Sequence, residues 1–321
     1  MIYLLLAVLC GSLFSIVFKL CQMHGADGRQ VTMFNYIIAF VFTLVPIVAR
    51  AVFDPGTEAS DYVPGASSWL LAAVQGALFT LGFIIMDGST RRSGVALTTV
   101  CARSSLIVPV LLSWALLSQP APSWLPVLMI IAAMALIIGP TESRPASVTT
   151  SGDPGRKSTG VIARPSSVGP GHHAVMLSLL GVFLVFGLSD FFLKVVQHSV
   201  WAQDADPELL DKRLTALTCI IFLMAALAST AYCALSGSFR RHHVTWGDVG
   251  WGALLGTANI GCTSCMLRAL VTIPTGTFYP LYNIGIVLIA ALAGLLFFGE
   301  RLKWVQVGGL LLALAAIALS F

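Results

Sequence analysis

Charged residues are scarce in this sequence. They make up 10% of the 321 residues, against roughly 25% in soluble domains, whereas 57% are hydrophobic and the mean hydropathy is +0.89. A soluble fold with this composition would expose large apolar patches. The net charge of +4 is spread over the loops and forms no basic face, which argues against a nucleic-acid partner. The sequence therefore predicts a polytopic protein that is surrounded by the lipid bilayer.

Motifs of enzymes and of metal sites are also missing. The chain has no GxxxxGK[ST] loop for nucleotide phosphates, no HExxH and no GxSxG, and its six histidines lie near predicted helix ends or in loops. Its seven cysteines do not frame small polar loops, so we expect no disulfide framework. Cys262 and Cys265 form a single CxxC, for which packing between helices is the preferred interpretation. We expect no enzymatic activity, no cofactor and no metal.

One long polar stretch, residues 141–171, interrupts the apolar sequence. It consists mostly of Ser, Thr, Pro and Gly, with four basic residues and no apolar run. Such a segment cannot bury enough apolar surface to offset its ordering entropy, which predicts a mobile linker. The linker separates a first membrane unit, residues 1–140, from a second, residues 172–321.

Apolar segments of spanning length recur on both sides of the linker. A spanning helix needs about twenty apolar residues. Ten candidates cover residues 2–21, 32–52, 68–89, 94–117, 125–139, 174–197, 214–235, 249–270, 277–298 and 303–321. Most connections are short, which favours antiparallel neighbours in a bundle. The predicted fold is an all-α membrane protein with ten transmembrane helices.

The two units match each other at an offset that grows from 175 to 181 residues. The matched pairs, in order along the chain, are Lys19 and Lys194, Gly76 and Gly252, Arg92 and Arg268, and Gln119 and Glu300. Five helices per unit is an odd number, so the second unit is expected to enter the membrane upside down. Two inverted five-helix repeats are typical of alternating-access transporters, whose substrate site lies between the repeats near the midplane.

Both units also resemble a known family. The sequence PLYN at 280–283, LLFFGERL at 295–302 and Gly308-Gly309 resemble the closing helices of the drug/metabolite transporter (DMT) superfamily, EamA type. Residues 105–119, with Pro109 and LLSW at 111–114, are similar to the fourth helix of that family, and Lys19 also fits. Gln119 departs from the pattern, because the family usually carries a carboxylate there.

The resemblance implies a secondary transporter. It implies ten helices in a five-plus-five arrangement, a small polar metabolite such as an amino acid as the substrate, and often export. An alternative on the same fold is a translocase of a lipid-linked or amphipathic substrate, which would need a cavity open sideways to lipid. A membrane enzyme is the third class, and no motif favours it.

Arg103 is the first candidate for substrate binding. It lies about nine residues into the fourth predicted helix, or ~14 Å deep, where an ionisable group is costly. Its guanidinium could bind a substrate carboxylate or phosphate. The alternative is an ion pair with a carboxylate of another helix, such as Asp190 or Asp87.

Three further ionisable residues are candidates for gating or coupling. Lys19 and Lys194 lie near the far ends of their helices, where they would either reach the headgroups or line the mouth of a cavity. Asp190 lies four residues before Lys194, so the two would neutralise each other on one helix face. If Asp190 is instead free in a cavity, it is a candidate for coupling transport to a proton.

Uncharged polar residues extend the candidate substrate site. Tyr279, Tyr282 and Asn283 share one helix face, and Pro280 frees a backbone carbonyl in the same turn. Asn259 lies in the middle of the eighth predicted helix and Asn35 begins the second. The alternative for all five polar side chains is a hydrogen bond to a neighbouring helix.

The orientation in the membrane stays open at this stage. The basic residues of the loops place the linker in the cytoplasm and both termini outside, by the positive-inside rule. The resemblance implies the reverse. We expect the bacterial inner membrane as the location. We also expect a monomer, or a homodimer through Gly252 and Gly256 or the alanine-rich last helix, whose small residues would otherwise pack internally.

Overall fold

The computed structural model describes residues 1–24, 26–53, 62, 65–93, 95–138, 172–201, 206–241, 243–297 and 304–319. The predicted linker at 141–171 lies outside these residues. Within them all regular secondary structure is helical, which confirms the all-α class. The helices of the described residues are α1 (Ile2–Met23), α2 (Gly28–Phe53), α3 (Ala66–Ser93), α4 (Val95–Ser104), α5 (Ile107–Leu116), α6 (Trp124–Ile138), α7 (His172–Trp201), α8 (Pro207–Leu235), α9 (Ser238–Arg241), α10 (Trp246–Thr272), α11 (Thr275–Phe297) and α12 (Trp304–Ala318).

Five helices are long and apolar enough, by their described residues, to cross a membrane. They belong to α2, α3, α7, α8 and α10, and each has 25 to 29 residues. The described apolar parts of α1, α6, α11 and α12, and the stretch Cys101–Leu116, have between 10 and 17 residues. The chain is therefore a helical, multi-pass membrane protein, as its composition predicted.

The fourth predicted segment is divided into two helices. It ends as α4 at Ser104 and resumes as α5 at Ile107, with a turn at Ser105 and Leu106. Pro109 explains the break, because it has no N–H for the helical ladder and is tolerated in the first turn of a helix. The Ser105 hydroxyl donates to the carbonyl of Ala102 at 2.6 Å and so binds a carbonyl at the end of α4.

The helices of the two predicted units pack against one another in a reciprocal way. Helix α1 packs against α10 just as α7 packs against α3, and α2 packs against α10 just as α8 packs against α3. Helices α2 and α8 contact each other, and so do α6 and α12. Each of these contacts joins the first unit to the second, and exchanging the units leaves the pattern unchanged.

Two aligned glycines lie at equivalent helix contacts. A Cβ atom at Gly76 of α3 would lie 2.2 Å from the backbone oxygen of Ile221 in α8. A Cβ atom at Gly252 of α10 would lie 2.4 Å from the Cβ of Phe34 in α2. Both close approaches therefore require glycine. Gly252 and Gly256 thus pack on α2 of the same chain, which is the internal packing that the sequence left as an alternative to a dimer interface.

The ends of the helices define two sides of the bundle. On one, which we call the Arg29 side, α2 and α10 begin, and the backbone N–H of Asp27 donates to Asp248 Oδ1 at 3.2 Å. Asp248 also forms a capping box with Thr245 that starts α10. On the other, the Arg268 side, α10 ends and α8 begins. The candidate site lies among helices that run between these sides.

Candidate functional site

The break between α4 and α5 places Arg103 next to α11. Arg103 is the penultimate residue of α4 and is partly buried, and its Nη1 donates to Asn283 Oδ1 at 3.2 Å. The contact joins residues that are 180 positions apart in the chain. Two of the residues predicted to bind substrate, one from each unit, are therefore in direct contact.

The polar face of α11 is buried, as its spacing predicted. Tyr279, Tyr282 and Asn283 are each at most 8% exposed. Asn283 Nδ2 donates to the carbonyl of Tyr279 at 3.0 Å, which fixes the amide so that its oxygen points to Arg103. Pro280 lies inside α11 and has no N–H, so the carbonyl of Gly276 loses its helical donor.

Asp190 brings a carboxyl group to the same place. The hydroxyl of Tyr279 donates to the backbone carbonyl of Asp190, which anchors α7 to α11 at this level. The Asp190 carboxylate lies within electrostatic range of the Arg103 guanidinium. We call the group of Arg103, Asp190, Tyr279, Tyr282 and Asn283 the central site. It places a guanidinium and a carboxyl group among helices that are otherwise largely apolar.

Cys262 borders the central site, although sequence analysis assigned it to packing. Its Sγ lies 3.0 Å from the hydroxyl oxygen of Tyr282, so one of the two donates to the other. A Cβ atom at Gly11 of α1 would lie 2.9 Å from the same hydroxyl. The site is thus enclosed by α1 and α10 in addition to α4, α7 and α11. No spacing in the sequence signals the contact between Cys262 and Tyr282.

Asn35 and Asn259 form a second polar cluster. Asn259 Nδ2 donates to Asn35 Oδ1 at 3.3 Å, and Thr263 Oγ1 lies 3.5 Å from Asn259 Oδ1. Asn35 is only 2% exposed. The structure therefore shows the hydrogen bond between helices that the sequence gave as the alternative, here between α2 and α10. A substrate role for this pair stays a prediction.

Substituting Asn35 and Asn259 will measure this hydrogen bond. Asn259→Ala leaves the buried oxygen of Asn35 without its donor, so each single variant should lower the thermal midpoint, with a coupling energy of about 0.6 kcal/mol. Thermal unfolding of both single variants and the double variant in one detergent measures the coupling. Thr257→Ala is the control, because Thr257 is exposed on the same helix. Strictly additive single effects would contradict the pairing.

Lys194 lies in the interior and does not pair with Asp190. It is 4% exposed, and its Nζ donates to Gln197 Oε1 at 2.6 Å and to the carbonyl of Leu270 at 2.7 Å. The expectation that Lys194 reaches the headgroups is therefore wrong, and so is its neutralisation by Asp190. Lys194 belongs to α7, and its ammonium group is stabilised by the carbonyl groups at the C-terminal end of α10. Lys19 lies in α1, but its side chain is outside the described part of the structure, so its predicted role stays a prediction.

An ion pair joins α10 to α8 on the Arg268 side. Arg268 Nε donates to Asp211 Oδ1 at 2.8 Å, and Nη2 lies 2.7 Å from the same oxygen. Arg268 also donates to Thr215 Oγ1 at 3.2 Å and to the carbonyl of Ser264 at 3.1 Å. With the Lys194 contact to Leu270, this network joins α7, α8 and α10 on that side. In the sequence, only the alignment with Arg92 distinguishes Arg268.

Comparisons with known proteins show a similar fold and name no function. No family model matches the chain. An uncharacterized protein of Haemophilus influenzae is 25% identical over 321 residues, which cover 98% of this chain and 95% of that protein. A protein of known crystal structure is similar over 99% of this chain and 95% of its own, with a TM-score of 0.65 and 14% identity. The chain therefore shares its whole fold with a solved structure.

The central site offers groups that can bind a charged, polar ligand. Among the described residues, no group of three or more His, Cys, Asp or Glu side chains is placed to hold a metal ion. A guanidinium and a carboxylate in a largely apolar bundle instead offer one partner for each charge of a zwitterion. The amide of Asn283 and the hydroxyl of Tyr282 add directional hydrogen bonds that select among polar ligands.

Proposed function

We propose that the protein is a secondary transporter of a small zwitterionic metabolite such as an amino acid. The observation that carries this proposal is the contact of Arg103 with Asn283 across the two units, with Asp190 within electrostatic range. A substrate α-carboxylate would bind the guanidinium, and its ammonium group would bind the carboxylate of Asp190. The resemblance to EamA-type members of the drug/metabolite transporter superfamily supports the same function.

The reciprocal packing supports two inverted repeats of five spans each. In this proposal α4 and α5 together form one span, and with α1, α2, α3 and α6 they make up the first repeat. The second repeat consists of α7, α8, α10, α11 and α12. The equivalent contacts of Gly76 with α8 and of Gly252 with α2 agree with this assignment. A bacterial inner membrane is the proposed location, and the relative in Haemophilus influenzae is consistent with it.

Alternating access would follow from the two repeats rocking against each other. We propose that the Arg268 ion pair with Asp211 and the hydrogen bond from Lys194 to Leu270 close the Arg268 side in this conformation. Their repeat counterparts on the Arg29 side are Arg92 and Lys19, which we propose close that side in the opposite state. Inverted repeats allow the protein to switch between these two states. Because the repeats are similar, each can adopt the conformation of the other, and the open and closed sides are then interchanged.

Counterflow into proteoliposomes tests the proposed function. Vesicles that contain the purified full-length chain and an unlabelled amino acid should accumulate the same labelled amino acid from outside, and protein-free vesicles should not. A panel of amino acids, sugars and nucleosides identifies the substrate, with thermal shift of the purified protein as the binding measurement. Binding and counterflow of uncharged sugars alone would contradict the zwitterion proposal. Absence of counterflow for every class would contradict transport itself.

Substituting Asp190 distinguishes proton-coupled transport from substrate exchange. Asp190→Asn keeps the size of the side chain and removes the carboxyl group that would bind and release the proton. We expect counterflow to persist with reduced affinity, while accumulation driven by a proton gradient is lost. Asp87→Asn is the control, since Asp87 lies near the end of α3 on the Arg29 side. Gradient-driven accumulation at the wild-type level in Asp190→Asn would rule out this role.

A further inference from the structure

A pocket of about 650 Å³ opens on the Arg29 side, away from the central site. It lies between the start of α2, the end of α3, the start of α7 and the end of α8. These helix ends belong to both predicted units, so whatever occupies the pocket contacts both. Helix ends also mark the level at which a spanning bundle meets the lipid headgroups.

The polar part of the pocket carries a positive charge. The guanidiniums of Arg29 and Arg92 line it together with one carboxylate, that of Asp87. The guanidinium carbon of Arg29 lies 5.8 Å from the ring centre of Tyr232, a cation–π contact that holds Arg29 against the wall. The Sγ of Cys233 donates to the backbone carbonyl of Arg29 at 3.3 Å, which fixes the backbone at the same place.

The N-terminus of α7 adds to this charge. Ala174 and Ser178 belong to the first two turns of α7, whereas the N-terminus of α2 is capped by Asp27, whose Oδ1 accepts from the N–H of Arg29 at 3.0 Å. The N-terminus of a helix carries a partial positive charge and attracts anions. Two arginines and the start of α7 together favour an anion that accepts several hydrogen bonds, which is the chemistry of a phosphate group.

The rest of the wall is apolar and continues onto the surface of the bundle. Ile84 and Leu177 line the pocket, and Leu177 is 71% exposed. Leu81 on α3 and Leu184 on α7 are exposed further along the same two helices. An acyl chain that lies along α3 and α7 would cover these side chains, while its headgroup occupies the pocket.

We propose that this pocket binds the phosphate headgroup of an anionic membrane lipid. Basic pockets between membrane helices are known to recognise such headgroups. The lipid is a bound partner and not the cargo, because α3 and α7 are in contact beyond the pocket. A Cβ atom at Gly82 would lie 3.7 Å from Phe186, and Gln75 Nε2 donates to Ser189 Oγ at 3.1 Å. By contacting α2 and α3 as well as α7 and α8, the lipid holds the two units together on the Arg29 side.

Thermal unfolding of the purified full-length chain in detergent tests the proposal. Added phosphatidylglycerol should raise the midpoint more than phosphatidylcholine does, because ligand binding to the folded state stabilises it. The Arg29→Gln/Arg92→Gln double variant should lose most of this difference. Arg50→Gln is the matched control, because Arg50 is exposed near the end of α2 and does not line the pocket.

A pocket-filling variant distinguishes lost binding from damage to the fold. A Cβ atom at Gly88 meets no described atom within 4 Å, so Gly88→Leu should fold normally and occupy the pocket. It should unfold at the wild-type midpoint without lipid and lose the phosphatidylglycerol shift. An undiminished lipid shift in Gly88→Leu would overturn the proposal. Inorganic phosphate or glycerol phosphate that alone gives the full shift would overturn it as well, in favour of a soluble anion.

Discussion

Replacing Arg103 by glutamine should abolish transport and leave the folded protein intact. The guanidinium is the donor to Asn283 and, in the proposed function, the partner of the substrate carboxylate. A hydrogen bond to a charged group contributes about 1.5–3 kcal/mol, and its loss at the upper end weakens binding by roughly 150-fold. Arg103→Lys should also lose most activity, because an ammonium cannot form the two parallel hydrogen bonds of a guanidinium. Counterflow and ligand-induced thermal shift measure the two effects.

Arg50→Gln is the matched control for Arg103→Gln. Arg50 lies in the last turn of α2 and is exposed, so its substitution removes one arginine from the chain without touching the central site. Transport by Arg50→Gln should equal that of the wild type. If Arg103→Gln transports as well as Arg50→Gln does, Arg103 is not part of the substrate site. If it fails to fold, Arg103→Lys supplies the test, because it retains the charge.

Valine at position 76 or 252 should prevent the fold from forming. The Cβ of residue 76 would lie 2.2 Å from the backbone oxygen of Ile221 and 3.0 Å from the backbone nitrogen of Ala225. Backbone atoms cannot rotate away as a side chain does, so α3 and α8 would have to separate, at a cost of about 3 kcal/mol or more. Gly252→Val should be equally harmful, because it forces α10 from α2 in the same way. The yield of monodisperse protein and its thermal midpoint measure the effect.

Gly250→Val is the control for both glycine variants. A Cβ atom at Gly250 meets no described atom within 4 Å, although the residue lies only two positions from Gly252 in the same helix. Its substitution tests the intrinsic effect of a β-branched residue in α10 without a new contact. Wild-type stability of Gly76→Val together with disruption by Gly252→Val would contradict the equivalence of the two contacts.

The fold was predictable from the sequence to the extent that it depends on local composition. Apolar segments of spanning length correspond to helices, and Gly76 and Gly252, which the sequence aligns, both lie at close helix contacts in the structure. The polar spacing of Tyr279, Tyr282 and Asn283 correctly predicted one shared face. These predictions succeed for the same reason, because the periodicity of a helix is set by residues that are close together in the sequence.

The contacts between distant residues were not predictable in the same way. Nothing in the spacing of the sequence connects Arg103 to Asn283 or Cys262 to Tyr282, because these contacts depend on how the helices cross. The position of Lys194 in its helix allowed it to reach the headgroups or to line a cavity, and it does not show that the ammonium group binds a carbonyl at the end of α10. The ion pair of Arg268 with Asp211 also depends on how α8 packs against α10.

The turn at Ser105 and Leu106 has a mechanical consequence. The helical hydrogen bonding is irregular there, because the N–H of Leu106 donates to the carbonyl of Arg103 at 3.4 Å, three residues back. The turn lies against Gly187 of α7, where a Cβ atom would lie 2.6 Å from the Cβ of Val108 and 3.0 Å from the carbonyl oxygen of Ser105. In the proposed transport function, we expect the span to bend at this turn. One end of the span would then move relative to the other while Arg103 keeps its contact with Asn283.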